Sequence, residues 1–314
     1  MAPSAEDMVV VVPTGIQTAL ARLMAGASVE VTPRDVDAVE VLRRRLPSGA
    51  SVYITHLPGQ PLEASLEVAV ALRASGLRPV PHIAARSLRS RQELDQALRS
   101  LRGDAGVDDV LLIAGGVDPV GPFTSSLDLL REGVLVEHGI TSLGVAGHPE
   151  GAPDIAESEL ADAIALKNAY AVETGTAVRL VTQFTFDPEP TIAWERRLRA
   201  AGSSLPIHVG LPGAAAAQTL IRFGIRCGVG PSLSVLKKQS RRLLQLASMT
   251  PQFPDATVLG VASAADADPA SLFQAFHFFP FGALDRTLTW AAEVQSGQAG
   301  LDRENRLITP SRRG

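Results

Sequence analysis

The 314-residue chain has a single cysteine, Cys227, which excludes an intrachain disulfide framework and any multi-cysteine zinc or iron–sulfur site. It also lacks a basic excess: 29 Lys and Arg stand against 33 Asp and Glu, a formal net charge of −4. A dedicated nucleic-acid binder usually carries a basic stripe, so none is expected here. Long apolar runs are missing too. Met8 to Val12 falls far short of the roughly 20 residues that span a bilayer. The acidic, proline-containing start has neither the basic flank nor the apolar core of a signal peptide. The expectation is a soluble, most simply cytoplasmic protein with no membrane partner. Several catalytic signatures are absent as well. No histidines occur at the paired H-x-H spacing of a barrel metal site, so no metal is expected. No G-x-S-x-G elbow offers a serine nucleophile. The nearest approach to a dinucleotide fingerprint, Gly228-Val229-Gly230, has Leu233 at the third glycine position.

What is present is alternation. With 46% hydrophobic residues the chain can bury a sizeable core. Short apolar runs alternate with amphipathic stretches at spacings of about 25 to 40 residues, the pattern of βα units around a parallel sheet. The strand candidates are Ser28–Val31, Ser51–Thr55, Val80–Ala84, Val110–Ala114, Ser142–Ala146, Arg179–Phe184, Ile207–Gly210 and Ala275–Phe279. Helical patterns cover Asp35–Leu46, Glu63–Ser75, Ser90–Leu101, Ser125–His138, Glu157–Thr174 and Glu189–Ala201, with Asp35 and Ser90 as candidate N-caps. Gly76, Gly103, Gly139, Gly175 and Gly202 stand where helices should end. Eight strand–helix units predict the α/β class and a single-domain (β/α)8 TIM barrel over residues 15–299. Residues 1–14 read as an N-terminal extension and 300–314 as a polar tail, both peripheral. Gln252–Pro269, rich in Asp, Ala and Pro, reads as a surface excursion.

In such a barrel the working residues lie at the C-terminal ends of strands. His56, His82, His148, His208 and His277 fall in or just after candidate strands, whereas His138 ends a helix. Glu30 closes strand one, and Gln183 and Asp187 flank the end of strand six. A histidine near a strand end can simply satisfy backbone groups; five on the ligand-binding face point toward a site. Ala114-Gly115-Gly116, followed by Val117 to Phe123, offers close backbone approach to a cofactor ring or pyrophosphate, and equally reads as a tight βα turn. A second Gly/Pro-rich loop runs from Gly147 to Pro153.

These residues carry a family likeness. Ser28-Val29-Glu30-Val31-Thr32-Pro33-Arg34, Thr55, Pro81-His82, His148-Pro149-Glu150, Thr182-Gln183-Phe184-Thr185-Phe186-Asp187, Gly210-Leu211-Pro212 with Gln218, and Phe276-His277-Phe278-Phe279 appear in matching order. By them the chain resembles the methylenetetrahydrofolate reductases, flavin-dependent barrel enzymes of one-carbon metabolism and methionine biosynthesis. The resemblance implies an oxidoreductase that reduces 5,10-methylenetetrahydrofolate to 5-methyltetrahydrofolate, with FAD as cofactor and NADH or NADPH as donor. Glu30 matches the general acid that assists opening of the imidazolidine ring. Thr55, His56, His82, Ala114, Gly115, Gly116, His148, Asp162 and Asn168 match positions lining the FAD site. Gln183, Gln218 and Phe223 match positions that meet the substrate. A homo-oligomer is left open.

The departures concern charge. Ala114-Gly115-Gly116 stands where the family has R-G-D, Ala152 where it has histidine, and Ala169 where a basic residue meets the FAD phosphates, although Lys167 is kept. After strand eight, Gly282 and Ala283 replace asparagine and arginine, and Arg222 stands where a phenylalanine is expected, with Phe223 one place along. A charge-assisted hydrogen bond contributes roughly 1.5–3 kcal/mol, so these losses bear on cofactor binding. Two alternatives follow: a flavin-deficient folate-binding homologue or subunit that needs a partner, and a non-flavin tetrahydrofolate-dependent barrel enzyme.

Overall fold

The computed structural model describes residues 10–152, 155–226, 251–302 and 306–312. Cys227, Gly228 to Gly230 and Leu233 lie outside the described residues. Eight strands close a barrel: β1 (Ser28–Val31), β2 (Ser51–Ile54), β3 (Arg78–Ala84), β4 (Asp109–Ile113), β5 (Ser142–Gly147), β6 (Ala177–Phe184), β7 (Ile207–Pro212) and β8 (Phe273–Phe279). They follow one another around the ring in chain order, with β8 returning to β1, and the ladders from β1 through β6 are parallel. The (β/α)8 barrel implied by the alternation is the observed fold. By packing, the chain divides into two compact units. One comprises Ser28–Thr182 and Ala201–His208; the other comprises Met1–Ala27, Gln183–Ala200 and Val209–Gly314.

In the first unit, strand periodicity sorts side chains by face. Val29, Val52, Ile54, Val110, Leu112, Leu143 and Val145 are buried on one face, while Tyr53, Val80, Leu111 and Val181 cluster on the other, inside the barrel. Gly144 makes room there, because a Cβ at this position would come within 2.8 Å of Leu111 and 3.4 Å of Val181. Helix Arg91–Ala105 buries Leu94, Ala97, Leu98, Leu101 and Ala105 at helical spacing. Ser90 caps it as expected, accepting from the Glu93 N–H at 3.2 Å. The helix runs through Gly103 and stops at Gly106, which adopts the left-handed conformation with φ 58°. Asp35 does not cap a helix with its side chain; its carboxylate accepts from the Thr32 N–H at 2.7 Å. The stretch expected to be helical over Ser125–His138 is broken into Ser126–Arg131 and Val134–Glu137 by Gly133.

In the second unit, the stretch expected to be a surface excursion contains the helix Asp255–Ala267. Val258, Val261, Ala262 and Ala265 recur at the helical period and are buried, so a composition rich in Asp and Ala concealed an amphipathic pattern. The described parts of both chain ends are paired. Val10–Val11 runs antiparallel to Gly300–Leu301, which runs antiparallel to Leu307–Ile308. Leu307 and Thr309 are fully buried. Arg312 donates to both carboxylate oxygens of Asp255 at 3.0 and 2.8 Å and stacks over the Phe253 ring at 4.4 Å.

Candidate functional site

Glu30 opposes Tyr53 in the β1–β2 ladder, and Tyr53 opposes Val80 in the next. His82 lies one inward step beyond Val80 on the same strand. This alternation brings Nε2 of His82 to 3.3 Å from Oε1 of Glu30, with the two side chains 5% and 14% exposed. Burial pushes the Glu30 carboxyl above its ordinary pKa, and the nearby imidazole partly opposes that. The Tyr53 ring meets His82 edge-on, centroids 5.9 Å apart. Thr55, His56 and His82 line a cavity of about 10 Å³ together with Gln60 and Ser65. Thr55 is anchored by its N–H on the Val31 carbonyl at 2.9 Å. His56 Nε2 is buried without a protein partner, and burial lowers the pKa of its imidazole.

Beneath this group the interior is polar for a reason that sequence inspection missed. Arg179 on β6 donates to the Tyr53 hydroxyl at 2.9 and 2.6 Å and to Ser142 Oγ at 2.9 Å, and pairs with Asp109 at 3.0 Å. Three strands thus supply partners for one buried cation. A signal was available: Arg179 falls inside a strand, and Asp109 and Ser142 open theirs.

The glycine loop after β4 wraps the residues after β3. Arg86 N–H donates to the Ala114 carbonyl at 2.9 Å, and Val120 N–H donates to the Arg86 carbonyl at 3.0 Å. Gly115 is left-handed, with φ 94°. A Cβ on Gly116 would meet nothing within 4 Å, so the space above this turn is open. Asp118 is exposed. Past β5, burial and the Lys167 charge push His148 down to about 4. Lys167 is buried, with Nζ on the Ala146 carbonyl at 2.8 Å, and burial lowers it to about 8. Asn168 is committed to protein partners. Its amide nitrogen donates to the Ile164 carbonyl and Ser203 Oγ at 2.8 and 3.1 Å, and its oxygen accepts from Ser204 N–H at 3.3 Å. Asp162 is exposed on the same helix, Glu157–Thr174.

The remaining candidates belong to the second unit. Gln183 is exposed between buried Thr182 and Phe184 at the end of β6, and its Oε1 accepts from the Phe184 N–H at 3.1 Å. Asp187 serves the chain locally, accepting from the Glu189 N–H at 3.1 Å. Gln218 is exposed and Phe223 half-buried on helix Ala217–Arg226. Phe223 stacks on Phe281, with centroids 4.5 Å apart and planes at 23°. Phe281 also meets Phe184 at 5.0 Å. Among the described residues Phe281 is the one non-glycine residue with positive φ, at 49°; sequence inspection did not single it out.

Residues 28–230 match the family described as methylenetetrahydrofolate reductase. The chain belongs to that family. Its β8 motif lies beyond the matched residues. Among solved structures, a complete multifunctional pyruvate carboxylase from Rhizobium etli is similar, at TM-score 0.46 and 11% identity over 89% of this chain. The chain spans 28% of that protein's length. Among the described residues, no helix of this family member is long and apolar enough to cross a membrane, and no group of three or more His, Cys, Asp or Glu could hold a metal ion.

Family members generally use FAD, and the residues here fit it in part. At the ring end, His56 keeps a buried nitrogen without a protein partner, and a Cβ on Gly116 would meet nothing within 4 Å, so neither is committed against a ligand. The helix Glu157–Thr174 does not fit the phosphates. Its Lys167 is turned onto a carbonyl, its Asn168 is saturated, and Asp162 presents negative charge.

Proposed function

We propose that this chain reduces 5,10-methylenetetrahydrofolate to 5-methyltetrahydrofolate with NADH or NADPH as the hydride source, and that Glu30 is its general acid. The observation that carries the reading is the carboxyl of Glu30, inward-facing on β1 and held above its ordinary pKa by burial. Such a group keeps a proton closer to neutrality and can deliver it to the ring nitrogen as the imidazolidine opens. Thr55, His56, His82, Ala114, Gly115 and Gly116 would hold the ring end of FAD, with His148, Asp162 and Asn168 further along. A bound flavin supplies the two-electron relay from nicotinamide to the methylene carbon. Gln183 offers an exposed amide, with donor and acceptor, to the folate or nicotinamide. Gln218 and Phe223 supply a second amide and an aromatic face.

A second reading has its own support. The inward turn of Lys167 and the saturation of Asn168 favour a non-flavin tetrahydrofolate-dependent enzyme or a flavin-deficient folate binder. The visible absorption spectrum of the purified protein decides between them. An oxidised-flavin spectrum that bleaches under anaerobic NADH or NADPH is the expected result. A protein that stays colourless even with added FAD overturns the flavin-dependent form.

A further inference from the structure

We propose that His82 is a positioning residue for the acid, the group that holds the Glu30 carboxyl and returns its proton after each turnover. This rests on the assignment of Glu30 as general acid. Three observations converge on His82. Its Nε2 stands 3.3 Å from Oε1 of Glu30, and the pair is sequestered from bulk water. Its ring is steered from the side by Tyr53, edge-on at 82°, and Tyr53 is itself fixed by two hydrogen bonds from Arg179. His82 also helps line the cavity shared with His56 and Ser65; about 10 Å³ is the room that one water centre needs. The imidazole thus touches both the acid and a water-sized space.

The step involves protons alone. As Glu30 gives up its proton, its O–H bond breaks and an N–H bond forms on the leaving ring nitrogen. The carboxylate then takes a proton from the imidazolium of His82. The imidazole, now neutral, is reprotonated from solvent through the cavity. Among the described residues, Tyr53 from β2 faces the pair and is itself held by Asp109 from β4 and Arg179 from β6, with His56 across the cavity. Tyr53 is pushed up to about 12 by burial, so its proton stays in place while that of Glu30 moves.

The first test uses the 314-residue chain without added cofactor. The imidazole of His82 is titrated by NMR in the wild type and in Glu30→Gln. A nearby carboxylate favours the imidazolium, so the His82 midpoint is expected to fall in the variant; equal midpoints overturn the proposal. In turnover, His82→Gln is expected to move the alkaline limb of the kcat profile upward by about one pH unit and to lower kcat at least tenfold. A limb that does not move overturns the relay even where Glu30→Gln has lost folate reduction. Full folate reduction by Glu30→Gln overturns the acid assignment itself, and the relay with it.

Discussion

Arg179 and Tyr53 meet inside the barrel with two arginine nitrogens, Nε and Nη2, donating to one phenolic oxygen at 2.9 and 2.6 Å. The phenol can only accept there, and the guanidinium charge is balanced by Asp109 at 3.0 Å rather than by the ring oxygen. Removing either partner strands the other. Arg179→Met leaves the buried Asp109 carboxylate with Arg78 alone, at 3.4 Å, and is expected to cost about 1–3 kcal/mol. Tyr53→Phe, which leaves guanidinium donors unpaired, is expected to cost about 1–3 kcal/mol. Urea unfolding measures both. A loss below about 1 kcal/mol for Arg179→Met would show that Arg78 or water compensates the carboxylate.

Glu30 is expected to weaken the fold where it is ionised. Its folded pKa lies above the unfolded value of 4.5, so the folded state binds the proton more tightly. That contribution is fully present below the unfolded pKa and is lost as pH rises through the folded one. Glu30→Gln should therefore melt higher than wild type at pH 8, with the advantage shrinking toward pH 4. Melting curves across that range check it, and a constant difference would contradict the burial-driven shift.

Lys167 is expected to behave in the opposite sense. Its folded pKa of about 8 lies below the ordinary 10.5, so the stability linked to it is present above 10.5 and is lost as pH falls through about 8. Lys167→Met should raise the melting temperature at pH 7 and lose that advantage at high pH. The same substitution reports on cofactor contact. If FAD affinity, measured by flavin fluorescence titration, is unchanged in the variant, the lysine is not a phosphate ligand.

Arg312 clasps Asp255, a carboxylate 8% exposed, through two hydrogen bonds. Arg312→Ala leaves that acid buried beside Phe253 without its cation, and a loss of about 3 kcal/mol is expected. Adding Asp255→Asn should restore part of it. Chemical denaturation of the single and double variants reads the coupling, and strict additivity would argue that the pair contributes nothing.

Much of the fold was legible because its signals are local. Val, Ile and Leu runs announce strands, and Ser90 followed by Glu93 announces a helix start. Where two glycines compete, as at Gly103 and Gly106, composition does not say which takes the left-handed turn. The helix Asp255–Ala267 was hidden because its buried face is mostly small and β-branched residues. The site was legible in its parts and not in its pairings. Glu30 and His82 each draw attention as polar groups near strand ends, but that their side chains meet depends on register across two ladders. The Arg179–Tyr53 bond joins positions 126 residues apart, and no spacing rule links them. The inward turn of Lys167 was equally invisible, since the sequence retains the residue while burial changes what it contacts.

The antiparallel pairing of Val10–Val11 with Gly300–Leu301 has a kinetic meaning. Its two halves are separated by nearly the whole described chain, so a polypeptide elongating from its N-terminus must carry Val10–Val11 unpartnered until Gly300–Leu301 is made. Contacts of such sequence separation carry the largest loop-closure entropy and form slowly. The sheet is thus a late fastener, and in amide exchange its N–H groups should acquire protection after those of β1 through β6.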